Sequence, residues 1–294
     1  MMNPETERNK IIDGLLKAVG SNVKVTYNCQ ITGARHVRSG DVNARDKMEL
    51  LGAQGKSLGT FDLLVDASGV AATLRHNRFS SKADAFYTGT TFLQGVVYSP
   101  EASWPAEVVK QLGEGTVGFV GPSKDGKAYV EAFAQRYGAA LEDQMANITI
   151  RVVTEGPGDL AKTLEMEGVH GFTNKKEDVE KVRSFYMDSL AHPEWPKMYK
   201  DALNNIDGAR ILPIFMHPLA EKVKKETIEG TDDIPLIGIG DALHALPPWS
   251  GMSGNYALAD ANDVSKDGTI IPKHHHSHLF WNNKSGTHRE KEKN

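Results

Sequence analysis

The spacing of apolar residues predicts a helix close to the start of the chain. Its buried face would be formed by four aliphatic residues, Ile12, Leu15, Leu16 and Val19. Asn3 is a suitable N-cap, Pro4 suits the first helical position, and Gly20 can end the helix. The chain therefore opens with an amphipathic helix.

Three further stretches predict strands of one sheet. Residues 23–28 alternate apolar and polar side chains, as in a strand with one covered face. Residues 61–67 and 234–240 are almost continuously apolar, which is typical of strands buried on both faces of a parallel sheet. We expect these three strands to share a sheet.

The region between them has a different pattern. Four stretches read as strands, at residues 88–98, 116–121, 128–136 and 148–154. An Asp125-Gly126 pair between the second and third indicates a hairpin, and residues 175–190 have helical periodicity. The predicted fold class is α/β, with a parallel-sheet domain that receives a mostly antiparallel, β-rich insert.

The stretch from residue 234 to residue 261 carries the candidate chemistry. A buried strand leads into Gly240 and Asp241, and Gly251 and Gly254 precede a second helical pattern. Glycines allow a ligand to approach the backbone, and the free N–H groups of a helix start bind anions or polar groups. The alternative is an ordinary strand–loop–helix connection that needs glycine only for its turns, and spacing alone leaves both open.

This stretch resembles the GD motif of the single-component, FAD-dependent aromatic hydroxylases, a family that includes para-hydroxybenzoate hydroxylase-like, salicylate hydroxylase-like and tetracycline-modifying monooxygenases. The positions that fit the motif are Gly240, Asp241, Ala242, His244, Pro247, Pro248, Gly251, Asn255, Asp260 and Ala261. Met252 and Ser253 stand where the family has Gln-Gly, and Gly254 follows one place later.

Two further stretches resemble the family in the same order. Residues 61–75 are similar to its DG motif, which the resemblance ties to both FAD and NAD(P)H and which ends at Arg75. Ser68 and Ala72 depart from that motif's Asp and Ser. Residues 210–213 with Pro218 resemble the strand that returns from the substrate domain.

The family's opening G-x-G-x-x-G unit, which holds the FAD pyrophosphate, has no counterpart here. Arg8 fits the start of the arginine-containing helix that follows later in the family, so we expect the chain to begin inside the FAD domain. The expected domains are a partial FAD domain (1–75 and 231–264), a substrate domain (76–230) and a disordered tail (265–294).

The resemblance implies an NAD(P)H-driven monooxygenase that hydroxylates an aromatic or polycyclic small molecule with O₂, through a flavin C4a-hydroperoxide. The implied FAD ligands are Arg8, Gly240, Asp241, Pro247, Pro248, Gly251, Gly254 and Asn255, and Arg75 is expected to help bind the nicotinamide nucleotide. The substrate is expected between the flavin and the β-rich insert. No residue is singled out as catalytic, because His244 is read as a loop residue beside the cofactor. The open alternative is a truncated, non-catalytic relic or binding module.

Composition indicates which partners and which cellular setting to expect. With 34 Lys+Arg and 38 Asp+Glu, the net charge of -4 disfavours nucleic-acid partners. Neither a membrane span nor a signal peptide is evident, and the single Cys29 excludes an intramolecular disulfide, so a cytoplasmic setting is expected. The last thirty residues are polar and rich in histidine, which we read as a solvated tail rather than a metal site.

Overall fold

The computed structural model describes residues 8–41, 44–112, 116–124, 129–137, 145–166, 172–218, 227–229, 231 and 234–266. The chain divides into two compact units. We call Met1–Val25 with Gly89–Ile214 the antiparallel unit, and Thr26–Thr88 with Phe215–Asn294 the motif unit. The fold is mixed α/β and contains both antiparallel and parallel sheets, as the sequence predicted.

The antiparallel unit is built on a six-stranded sheet. In sheet order its strands are β6 (Thr116–Pro122), β7 (Tyr129–Tyr137), β8 (Met145–Val153), β5 (Phe86–Tyr98), β10 (Gly208–Met216) and β9 (Phe172–Thr173). Its helices are α1 (Arg8–Ala18), α2 (Pro100–Ser103), α3 (Ala106–Leu112), α4 (Asp159–Thr163), α5 (Lys176–Phe185) and α6 (Lys197–Asn204). The four strands predicted within residues 88–154 are therefore all present, and β6 and β7 pair as the predicted hairpin.

One face of this sheet packs on an apolar core. Alternate residues of β5 and β8, among them Leu93, Ile148 and Ile150, are fully or almost fully buried together with Tyr186. At Gly95 a Cβ would lie 2.7 Å from a methyl carbon of Ile206, so glycine lets the packing layer approach the sheet.

The predicted helix over residues 175–190 changes type near its end. α5 stops at Phe185, and Tyr186–Leu190 forms a single π-helical turn. The hydroxyl of Tyr186 donates to the Leu93 carbonyl at 3.2 Å, and burial raises the pKa of that hydroxyl above its usual value. The wider turn therefore accompanies a buried hydrogen bond to the sheet, which periodicity does not reveal.

The motif unit contains two small sheets. β1 (Ile31–Val37), β2 (Lys47–Gly52) and β3 (Ser57–Phe61) form an antiparallel sheet, and β4 (Leu64–Asp66) pairs in parallel with β11 (Leu236–Gly238). Two helices follow β11, namely α7 (Asp241–His244) and α8 (Ser253–Lys266). The two dense apolar stretches thus pair as expected, although their strands are short and Phe61 belongs to β3.

The strand predicted over residues 23–28 is wrong. This segment has no regular structure, and its apolar side chains, Val23, Val25 and Tyr27, are exposed. A period-2 pattern forms a strand only where a neighbouring strand takes up the backbone hydrogen bonds, and these residues pair with none of the described strands. The first helix forms as predicted, but its apolar residues are also exposed.

Two predictions fall largely or wholly outside the described residues. The N-cap and first helical position proposed at Asn3 and Pro4 precede residue 8. Of the tail expected from residue 265, only Ser265 and Lys266 are described, and they finish α8.

Candidate functional site

The turn after β11 has the geometry that its glycine requires. Gly240 has φ 55° and ψ −139°, and a Cβ there would lie 2.9 Å from the Cβ of Ala257. The positive φ and the close approach to α8 both disfavour any other residue. Residues 240–245, which we call the GD turn, therefore pass from the strand into α7 along a path that depends on glycine.

Asp260 holds both ends of α7 from the neighbouring helix. Its Oδ2 accepts the Gly240 N–H at 2.7 Å and lies 2.7 Å from Nε2 of His244. The hydrogen bond to Asp260 is the largest cause that raises the pKa of His244 above its ordinary value, and it outweighs the opposing burial. The contact between His244 and Asp260, an ion pair when the ring is protonated, thus ties the GD turn to α8.

Asp241 begins α7 directly beyond the parallel pair. Its Oδ1 is buried and has no hydrogen-bond partner among the described residues. Leaving a carboxylate oxygen buried without a donor costs on the order of 1–3 kcal/mol. The carboxyl end of a parallel strand is also where open α/β sheets place ligands. Asp241 therefore presents an unused acceptor at a location suited to a polar ligand.

Arg75, at the end of the DG-like stretch, is a buried side chain that binds backbone carbonyls. Its Nη1 donates to the carbonyls of Ala242 and Leu243, each at 3.0 Å, and its Nε donates to that of Ala83 at 3.1 Å. Its guanidinium also lies 5.0 Å from the ring centroid of Phe79. The side chain is 6% exposed, so most of its donors are committed to the GD turn and its surroundings.

The other terminal nitrogen of this guanidinium, Nη2, makes no such hydrogen bond within the described part of the chain. Nη2 of Arg75 is buried without a hydrogen-bond partner in the described part of the chain. Burial lowers the pKa of Arg75, while Asp84 and Asp66 act in the opposite direction. A cavity of about 20 Å³ lined by Arg75 and Asp66 has room for about one water molecule.

Two side chains of this region were missed by the sequence reasoning. Asp66 ends β4 almost fully buried, and its Oδ1 accepts from the backbone N–H of Ser68 at 2.9 Å and from its hydroxyl at 2.6 Å. His217 follows β10 and bonds to Ala245 of the GD turn. The Asp-x-Ser spacing is an Asx-turn signal that could have identified the first. Nothing in the sequence marks the second, because its partner is 28 positions away.

The remaining predicted ligands of the GD motif lie in the loop between α7 and α8 and in the first turn of α8. Pro247 precedes a 3₁₀ turn at Pro248–Ser250, and Gly251 ends it with φ 64°. Gly254 and Asn255 lie in the exposed first turn of α8. A Cβ at Gly251 or Gly254 would meet no atom within 4 Å, so open space adjoins both. α8 begins at Ser253, so the Met252-Ser253 departure lies at the start of this helix.

The last predicted ligand belongs to a different part of the fold. Arg8 begins α1, an element of the antiparallel unit, whereas all the other predicted ligands lie in the motif unit. Within the motif unit, the structure brings Arg75, Gly240 and Asp241 together around α7.

Comparison with known proteins identifies the class of fold. No family model matches the sequence, and no curated protein matches it. Among solved structures, HpxO of Klebsiella pneumoniae in complex with FAD and uric acid superposes with a TM-score of 0.58 at 18% identity, over 90% of this chain and 55% of its own. CtdE in complex with FAD gives 0.53 at 12%, over 86% and 57%. Tetracycline destructase Tet(51) gives 0.51 at 12%, over 88% and 57%.

At the level of the fold, these similarities confirm the resemblance to the FAD-dependent monooxygenases that the sequence motifs indicated. The chain spans a little more than half the length of each of these neighbours. None of the helices in the described ranges combines the length and apolar character that a bilayer crossing requires.

Proposed function

We propose that this chain binds FAD at the GD turn and serves an NAD(P)H-driven monooxygenase that hydroxylates an aromatic or polycyclic small molecule with O₂. The observation that carries the proposal is the buried, unpartnered Oδ1 of Asp241 at the end of a parallel strand. A ligand with several hydroxyl groups would satisfy this acceptor, and the ribityl chain of FAD is such a ligand. The fold similarity to proteins crystallised with FAD supports the same cofactor.

The residues around the turn fit the cofactor in chemistry. Asp241 offers a carboxylate oxygen that can only accept hydrogen bonds, as hydroxyl donors require. Gly254 and Asn255 would offer backbone N–H groups in the first turn of α8. The N–H of Gly251 donates to the Pro248 carbonyl at 3.1 Å, so Gly251 would contribute the open space that adjoins it and Gly254. Pro247 and Pro248 restrict the loop that leads there.

When bound, FAD would supply the redox chemistry, with the nicotinamide nucleotide as reductant and O₂ as oxidant. The part played by this chain is to bind and orient. Asp260 fixes the Gly240 amide and the His244 ring, so that Asp241 starts from a constrained backbone. Arg75 donates hydrogen bonds to the Ala242 and Leu243 carbonyls and so supports the turn, which we propose as its contribution to the cofactor site.

The test is a flavin-fluorescence titration of the parent chain and its variants. Asp241→Ala should weaken FAD binding by about 1.5–3 kcal/mol, the usual scale for a hydrogen bond to a charged group, which is roughly ten- to hundred-fold in affinity. Asp263→Ala removes the same charge from an exposed position of α8 and should leave the affinity unchanged. Thermal unfolding of each variant checks that the fold is intact.

Two outcomes would count against the proposal. Equal affinity in the parent and in Asp241→Ala would remove Asp241 from the site. A parent chain that binds no FAD at all would favour the non-catalytic alternative, in which the fold is retained without its cofactor.

A further inference from the structure

His217 and Ala245 form a closed pair of hydrogen bonds within the motif unit. The N–H of His217 donates to the Ala245 carbonyl at 3.1 Å, and the N–H of Ala245 donates to Nδ1 of the His217 ring, also at 3.1 Å. Ala245 directly follows α7, so this pair closes the GD turn at its far end. The His217 side chain is 3% exposed, and water therefore does not substitute readily for either bond.

The direction of the second bond sets the protonation state of the ring. Because Nδ1 accepts a hydrogen bond, the neutral ring carries its one proton on Nε2. A doubly protonated ring would have no lone pair at Nδ1 and would set an N–H group against the N–H of Ala245. The closed pair therefore exists only with a neutral imidazole.

The groups around His217 favour that neutral state. Burial is the largest cause of its lowered pKa. The positive charges of Arg75, from a 3₁₀ turn at Arg75–Asn77, and of His244, from α7, act in the same direction. The carbonyl groups of Val70 and Leu243 oppose them, and the pKa of His217 falls to about 4. At pH 7 the ring is accordingly an uncharged acceptor.

Arg75 and His217 thus bind different peptide groups of the GD turn. Arg75 donates to the carbonyls of Ala242 and Leu243, whereas His217 accepts from the amide of Ala245. An arginine cannot accept a hydrogen bond, so the Ala245 amide needs a group of the second kind. The turn is left with few backbone groups free to rearrange.

We propose that His217 is a positioning residue of the candidate flavin site, and that its neutral Nδ1 fixes the Ala245 amide and with it the direction in which the GD turn presents Asp241. The effect on the turn stands on the geometry of this chain. Its consequence for FAD rests on the function proposed above.

Two substitutions separate the acceptor from the bulk of the side chain. His217→Asn places an amide oxygen close to the position of Nδ1 and cannot be protonated, whereas His217→Leu fills a similar space without an acceptor. Amide hydrogen exchange at Ala245 at pH 7 reports the bond itself. Protection should fall about tenfold in His217→Leu, the effect of one lost hydrogen bond, and stay within about twofold of the parent in His217→Asn.

A pH series gives a readout that a merely structural role would not produce. As the pH falls from about 6.5 through 4, the parent should lose protection at Ala245, corrected for intrinsic exchange, whereas His217→Asn should keep it. His192→Asn is the matched control, because Nδ1 of the half-buried His192 also accepts a backbone N–H, from Glu194 at 3.2 Å. This control should behave as the parent does.

The outcomes separate this inference from the proposed function. Unchanged protection in His217→Leu, or an equal loss in both His217 variants, would overturn the positioning role. If the exchange results are as expected and the parent binds FAD, His217→Leu should bind it more weakly than His217→Asn does. If the exchange results are as expected and the parent binds no FAD, the positioning role stands and the proposed function fails.

Discussion

The two units of this protein hold their β-structure together by different means. In the antiparallel unit, a six-stranded sheet packs on a continuous apolar core that includes Leu93, Ile150 and Tyr186. In the motif unit, the parallel pair β4–β11 has three-residue strands and a small apolar cluster. There the polar side chains Arg75 and Asp260 bond directly to the backbone beyond the strands.

The difference shows how a short parallel pair can present a site. Apolar packing is tolerant of direction and scales with buried area, whereas buried hydrogen bonds specify where each peptide group lies. A turn that must place one carboxylate benefits from the second kind of constraint. Such a turn also becomes sensitive to the charge of the side chains that hold it. The pKa of His217 is lowered and that of His244 is raised.

The largest effect is expected from the apolar core. Ile150→Ala should destabilise the antiparallel unit by about 2–5 kcal/mol, because it removes a fully buried side chain from a packed layer. Chemical denaturation measures the loss. Val153→Ala, at a position of β8 that is 78% exposed, should change stability by less than about 0.5 kcal/mol. Similar losses in both variants would contradict the assigned buried face.

Acid should act on the motif unit through His217. Its pKa in the folded chain is about 4 and its unfolded value is about 6.5, so the unfolded chain binds the proton more readily. The stabilising contribution of the neutral ring is complete above pH 6.5 and declines as the pH falls through 4. The parent should lose about 3 kcal/mol relative to His217→Asn over this range. Denaturant unfolding at several pH values checks it, and parallel curves would contradict it.

The stabilisation from the Asp260–His244 pair should be lost as the pH rises, the opposite of the response of His217. The pKa of His244 is raised in the folded chain, so its contribution is present below about pH 6.5 and lost as the pH rises through the folded value. Asp260→Asn keeps an acceptor for the Gly240 amide but removes the charge, and it should cost about 1 kcal/mol in acid and less in alkali. A cost that does not change with pH would show that the ion pair contributes nothing.

An effect of similar size is expected from Arg75. Arg75→Lys keeps a positive charge but cannot donate from a planar fork to two carbonyls, and it should cost about 1–2 kcal/mol in stability. Lys82→Ala, an exposed neighbour, is the control and should cost little. If Arg75→Lys unfolds as the parent does, the guanidinium is not the support that its hydrogen bonds indicate.

Much of the fold and part of the site follow from the sequence alone. Four strand-like stretches and an Asp-Gly hairpin signal predicted β5 to β8, and the apolar stretches before Asp66 and Gly240 predicted the parallel pair. The glycines after the buried strand also indicated a turn or a close approach of the backbone, and Gly240 proves to have a positive φ. Individual strands and turns depend on neighbours close along the chain, and so they are encoded in local patterns.

Tertiary structure decided the rest. Residues 23–28 carry a strand pattern and form no strand, because pairing depends on a partner that a local pattern does not specify. Arg75 resembles a nucleotide ligand by motif, yet its position buries it against carbonyls 167 and 168 residues further along the chain. His217 acquires its acceptor role and its low pKa only from the groups folded around it. Hydrogen-bond geometry and desolvation act between atoms in space, and so the chain had to be folded before these roles were defined.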